Sequence, residues 1–97
     1  MKFTKFEKEE LVFKLEIIRD EEEMLQDLKK SEDDIEALIK KVKSDGNLEG
    51  WELKLLAEEA ENLLDIAEVN YSDGFPEYYP AVRKLRKLNA KLEAAND

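Results

Sequence analysis

Leu53, Leu56, Ala57, Ala60, Leu63, Leu64 and Ala67 recur at helical spacing without a miss. An apolar seam of that period is buried only when a second helix lies along it. The seam predicts a helix over 49–69, and alanines at 57, 60 and 67 admit a close neighbour. Three Gly and two Pro, all at or after Gly46, fall between segments of helical period. The fold class is therefore all-α.

The segment before the seam opens with Thr4 and Glu7, the spacing of a capping box. From there Leu11, Leu15, Ile18 and Leu25 join Phe13, Ile17, Met24 and Leu28 in one broad apolar stripe. The acidic run Asp20 to Glu23 contains no Gly or Pro and reads as a solvated face. Ser31, followed by Glu32, Asp33 and Asp34, is placed to cap a new helix carrying Ile35, Leu38, Ile39 and Val42. Two readings stay open, a break near residue 30 and one helix over 4–43. The continuous or slightly kinked helix is preferred, because Lys29 to Ser31 offers no strong breaker.

Gly46 is expected in the C′ position behind the basic last turn of Lys40, Lys41 and Lys43. The first helix then folds back antiparallel to fill the seam. A last helix over 80–95 begins at Pro80, with Val82, Leu85, Leu88 and Leu92 on one edge. The expectation is an antiparallel helical hairpin with a third, C-terminal helix, a three- to four-helix bundle forming a single acidic domain over 1–97.

Charge narrows the function. Lys plus Arg number 16 against 25 Asp plus Glu, a net charge of −9 that repels nucleic acid and anionic membranes and favours a basic partner. Cys and His are both absent, which removes disulfides, thiol nucleophiles, Cys/His zinc sites and histidine-based triads. No enzyme activity, cofactor or metal is expected. With no apolar run beyond three residues, a signal peptide or membrane span is not expected either, and the default location is cytoplasmic. Residues 81–97 are the exception to the acidic balance, at +3 against −12 for residues 1–80. Arg83, Lys84, Arg86, Lys87 and Lys91 either lie across the acidic helices and neutralise them, or form a separate basic contact patch. Five cations on so acidic a body cannot supply the footprint that phosphate contacts need.

Two carboxylate patterns suggest cation chemistry. Asp45 to Gly50 carries a fragment of a calcium-loop pattern, but that register puts Lys43 first, Leu48 at the glycine and Lys54 at the bidentate acid, so calcium is rejected. Glu58, Glu61, Asp65 and Glu68 line one helix flank, a row that could hold magnesium or simply face water. Glu7/Glu10 with Glu58/Glu61 resembles half of the paired-glutamate pattern of MazG-type nucleotide pyrophosphohydrolases, whose E-x-x-D half is absent here. A magnesium-dependent phosphohydrolase is thus a distant alternative.

The strongest candidate site is aromatic. Tyr71, Phe75, Tyr78 and Tyr79 crowd one turn, with Trp51 elsewhere on the chain. Adjacent tyrosines cannot both face one small core, so at least one is expected at the surface, where Tyr serves as an interface anchor. Asp73 and Glu77 would give the anchors an acidic rim, and the competing reading is that the rings plug an open bundle end. Asp73–Gly74 followed by Tyr78–Tyr79–Pro80 resembles the Asp-Gly and Tyr-Tyr-Pro segment of the colicin DNase immunity proteins, over those residues alone. That resemblance implies a small acidic helical inhibitor whose tyrosine pair meets a basic nuclease. The expected function is a non-enzymatic inhibitor or adaptor, its surface made by Tyr71, Asp73, Phe75, Glu77, Tyr78 and Tyr79 and its partner a protein with a basic face, such as a nucleic-acid-handling protein. The alternative is a homodimeric structural or assembly protein paired through the Leu/Ala seam.

Overall fold

The computed structural model describes residues 1–97. It holds five α-helices and one 3-10 turn: α1 (Lys5–Arg19), α2 (Glu22–Leu28), α3 (Glu32–Ser44), α4 (Gly50–Ser72), the 3-10 turn Pro76–Tyr78, and α5 (Tyr79–Asn96). The chain divides into two compact units, Met1–Leu48 and Glu49–Asp97. No helix is long and apolar enough to cross a membrane.

In the first unit, where one continuous helix is the preferred expectation, there are three. The first break follows Arg19. Asp20 donates its N–H to the Glu16 carbonyl and Glu21 donates its N–H to that of Ile18, and Glu21 is extended at φ −111°. Charge repulsion along Asp20 to Glu23 disfavours a continuous helix at that point, and the Arg19 side chain turns to Asp20 at 3.0 Å and to Glu36 of α3 at 2.8 Å. Those hydrogen bonds, the one to Asp20 foremost, push the Arg19 guanidinium further above its ordinary range. The second break is the one expected near residue 30. Lys29 is left-handed at φ 57°, and Ser31 and Asp34 form a reciprocal capping box that starts α3. The Ser31 N–H and hydroxyl hold the Asp34 carboxyl below its ordinary value.

α1 packs on α3. Leu11, Leu15 and Ile18 from α1, and Ile35, Leu38, Ile39 and Val42 from α3, are buried together with Phe3. The apolar stripe of α1 and α2 is accordingly narrower than its sequence suggests. Phe13 is 60% exposed, and Ile17 and Met24 also face water. Glu7 is buried, because its Oε1 accepts the Thr4 N–H at 2.8 Å in the capping box that opens α1.

The left-handed residue closing α3 is Asp45 at φ 56°, and Gly46 is the residue after it. Aspartate tolerates this conformation better than most side chains, and here its carboxylate is used as well. Oδ1 accepts the Phe3 N–H at 3.1 Å and Oδ2 accepts Lys8 Nζ at 3.2 Å, while Lys8 Nζ also donates to the Lys43 carbonyl at 3.1 Å. The amino-terminal segment is thus clipped to the end of α3.

In the second unit, the neighbour that lies along the Leu/Ala seam is α5, through the most extensive helix packing in the chain. Asn89 Nδ2 donates to the Ala60 carbonyl at 3.0 Å and Asn96 Nδ2 to the Leu53 carbonyl at 3.2 Å, so polar bonds fix the register along the interface. Leu56, Ala60 and Ala67 are buried, as are Val82, Leu85, Leu88 and Leu92. The seam is thus occupied from within the chain, while Leu53, Ala57, Leu63 and Leu64 stay half-buried. Glu49 and Glu52 start α4, the buried Glu52 accepting the Glu49 N–H at 2.7 Å.

Two outcomes follow. Leu56→Ala, at a site with no solvent exposure, lowers stability by about 2–5 kcal/mol in denaturant titration. The Phe3 N–H, with lesser help from Lys8, holds the Asp45 carboxyl below its ordinary value of 3.8. A depressed carboxylate stabilises the fold above its unfolded-state value, and that stabilisation is lost as pH falls through the lower folded one. Asp45→Asn therefore melts at a lower temperature than the native chain at pH 7, and the gap narrows on acidification through the range below 3.8.

Candidate aromatic interaction surface

The surface lies at the α4–α5 turn of the second unit. α4 is closed by Asp73, whose N–H bonds the Val69 carbonyl at 3.0 Å, and by Gly74, whose N–H bonds the Tyr71 carbonyl at 3.2 Å. Gly74 then takes φ 98°, a region that residues with a Cβ avoid. The Phe75 N–H returns to the Asn70 carbonyl at 3.2 Å, closing the helix end, and the Tyr78 N–H bonds the Phe75 carbonyl at 3.1 Å. Pro76 and Pro80 occupy early positions of the 3-10 turn and of α5, where a missing N–H costs nothing. The turn packs against both α4 and α5.

This geometry presents the rings outward. Tyr71 (44%), Phe75 (49%), Tyr78 (37%) and Tyr79 (47%) are all exposed. They form two pairs rather than a plug, with Tyr71 and Tyr79 at 5.5 Å between centroids and tilted by 36°, and Phe75 and Tyr78 at 6.5 Å edge to face. The Arg83 guanidinium lies 6.0 Å from the Tyr79 centroid, one helical turn along α5. Asp73 and Glu77 are exposed within the same turn. The six residues singled out in the sequence therefore occupy one exposed turn. Trp51 does not join them, since it stands about 30 Å away at the other end of α4 by helical rise, its Nε1 donating to Glu49 Oε2 at 3.3 Å.

Three neighbours escape the sequence reading. Ile66 and Val69 are 56% and 59% exposed on the last turns of α4. The signal for them is that both are large and apolar yet fall outside the seam positions. Arg83 is found by its i, i+4 spacing from Tyr79, which stacks two side chains on one helix face. The rim is consequently mixed in sign.

The basic residues of α5 divide in a similar way. Arg86 pairs with Glu68 at 3.0 Å, Arg83 covers Tyr79, and Pro80, Arg83, Lys84 and Lys87 line a shallow surface concavity. On α4, Glu58 and Glu61 border a groove shared with Lys54, Glu93 and Asn96, and nowhere do three or more carboxylates gather in an arrangement that could hold a metal ion. Glu7, the first member of the paired-glutamate pattern, is committed to its capping box.

No protein-family model, curated protein or solved structure matches the chain.

Gly74→Ala lowers stability by about 1 kcal/mol in denaturant titration. Nothing lies within 4 Å of the added methyl, so the loss is conformational, and Gly74→Asn loses less because Asn tolerates positive φ.

Proposed function

We propose that this chain is a small non-enzymatic binding protein, an inhibitor or adaptor that seats its aromatic turn on a partner protein with a basic surface, such as one that handles nucleic acid. The reading rests on one observation. Tyr71, Phe75, Tyr78 and Tyr79 leave roughly half or more than a third of their area in water on one turn, with Ile66 and Val69 exposed on the helix leading to it. A contiguous apolar surface of this kind on a small soluble fold is more economically explained by a partner than by stability. Aromatic rings bury large area at low entropic cost and dominate interface energetics. Asp73 and Glu77 supply carboxylates beside the rings, and the net charge of −9 steers the chain towards cations at a distance.

The arrangement of the rings supports the same reading. Tyr71 and Tyr79 are held together from two helices, so their orientation is set before a partner arrives and less conformational freedom is lost on binding. Tyr78 and Phe75 likewise meet edge to face.

The immobilised protein is expected to retain one basic protein in stoichiometric amount from a lysate of its host. Tyr78→Ala/Tyr79→Ala releases that protein, and its capture weakens between about 0.1 and 0.5 M salt as the charge component is screened. Thermal unfolding of the double variant serves as the control for folding. Capture that survives both the tyrosine changes and high salt overturns the proposed surface.

A further inference from the structure

Residues 78–92, between Glu77 and Glu93, hold five cations and no carboxylate. The fold uses only some of these cations. Arg86 pairs with Glu68 of α4 at 3.0 Å, whereas Lys87 is held by no carboxylate and the contact of Arg83 is the Tyr79 ring. Arg83 and Lys87 are both exposed and stand at i, i+4 on one face of α5, a spacing at which like charges repel. With Pro80 and Lys84 they line a concavity of about 180 Å³, the size of a side-chain end or two rather than of a helix. Two cations that repel each other across a hollow add nothing to the stability of α5, and the hollow borders the aromatic turn.

That border decides what has to come to them. The Arg83 guanidinium lies 6.0 Å from the Tyr79 centroid, so a partner seated on the Tyr79 ring also strips water from Arg83. A partner that is basic throughout leaves this cation desolvated among like charges, which is costly. A carboxylate at the same point restores the hydrogen bonds that the guanidinium loses, because its planar fork donates to both carboxylate oxygens at once.

We infer that the concavity of Pro80, Arg83, Lys84 and Lys87 takes an Asp or Glu side chain of the same partner protein whose basic face meets Asp73 and Glu77. The inference rests on the proposed function and adds the partner's chemistry: its contact surface carries both signs, a carboxylate set within an otherwise basic face. Such a contact has one favourable orientation, since turning the partner end for end sets like charges together.

A polyanion is excluded for a local reason. Glu77 and Glu93 bracket the cationic stretch, and Glu93 stands about 9 Å beyond Lys87 along α5, so a run of phosphates longer than the concavity meets carboxylates at both ends. A single carboxylate touching Arg83 and Lys87 does not. The acidic surplus elsewhere on the chain is screened beyond about 8 Å at physiological ionic strength.

Backbone amide shifts of the full isotope-labelled chain, titrated separately with an acidic probe, acetyl-Glu-Gly-Glu amide, and a basic probe, acetyl-Lys-Gly-Lys amide, test this. The acidic probe is expected to move the amides of Arg83, Lys84 and Lys87 saturably in the millimolar range, and to leave in place those of Lys40 and Lys41 on α3. Arg83→Gln/Lys87→Gln, at exposed positions and with helix propensity kept, weakens the acidic probe about fivefold or more, with thermal unfolding as the control for folding. The basic probe is expected at Asp73 and Glu77 in the native chain and in the variant alike. Acidic-probe shifts that spread equally to Lys40 and Lys41, or that persist unchanged in the variant, overturn the inference, and so does inorganic phosphate that saturates the same amides at lower concentration than the acidic probe. Loss of the acidic probe with the basic probe still bound counts against this inference alone, whereas a basic probe that fails at Asp73 and Glu77 counts against the proposed function.

Discussion

The contact between α4 and α5 is what the candidate surface depends on. Ala60 and Ala67 bring the two backbones close enough for leucines from α5 to fill the seam, and Asn89 reaches the Ala60 carbonyl to fix how far one helix has slid along the other. Sliding by one residue would part Tyr71 from Tyr79, since one ring is carried by each helix. A surface built of exposed rings thus inherits its precision from a buried interface that contains none of them.

The first unit is organised by its ends rather than by its length. Thr4 with Glu7 and Ser31 with Asp34 start helices, Lys29 and Asp45 stop them in the left-handed region, and Arg19 ties the first stop to α3. In a chain so rich in carboxylates, placing them at helix starts turns a repulsive surplus into satisfied N–H groups. Buried Glu7 and Glu52 show the same economy, each accepting the N–H three residues before it.

Helix type and seam were legible in the sequence because both are periodic, and the aromatic turn was legible because Gly, Pro and two adjacent tyrosines mark it. What periodicity conceals is which helix fills a seam. The leucines at 56, 63 and 64 are equally compatible with a neighbour from either side of the chain, and the asparagines of α5 that decide the matter carry no apolar signal. The break after Arg19 was hidden for a different reason: Glu and Asp are good or acceptable helix formers singly, and their mutual repulsion with the pull of Glu36 on Arg19 marks the end of the helix. The break at Lys29 was one of two open readings, signalled by the Ser31 cap that starts α3. Asp45 in place of Gly46 at the left-handed position reflects a side chain chosen for what its carboxylate reaches, which a rule about backbone freedom does not register. Arg83 on Tyr79 likewise lay in a helix read for its apolar edge and its net charge, neither of which registers a ring contact.

All four rings, the glycine that turns the chain and the arginine that covers one ring lie between Tyr71 and Arg83. The surface is therefore a cassette, one uninterrupted stretch of chain mounted on two helix ends. Its residues can be exchanged for others without disturbing any leucine of the seam, so recognition can diversify among descendants of this chain while the scaffold that displays it stays the same.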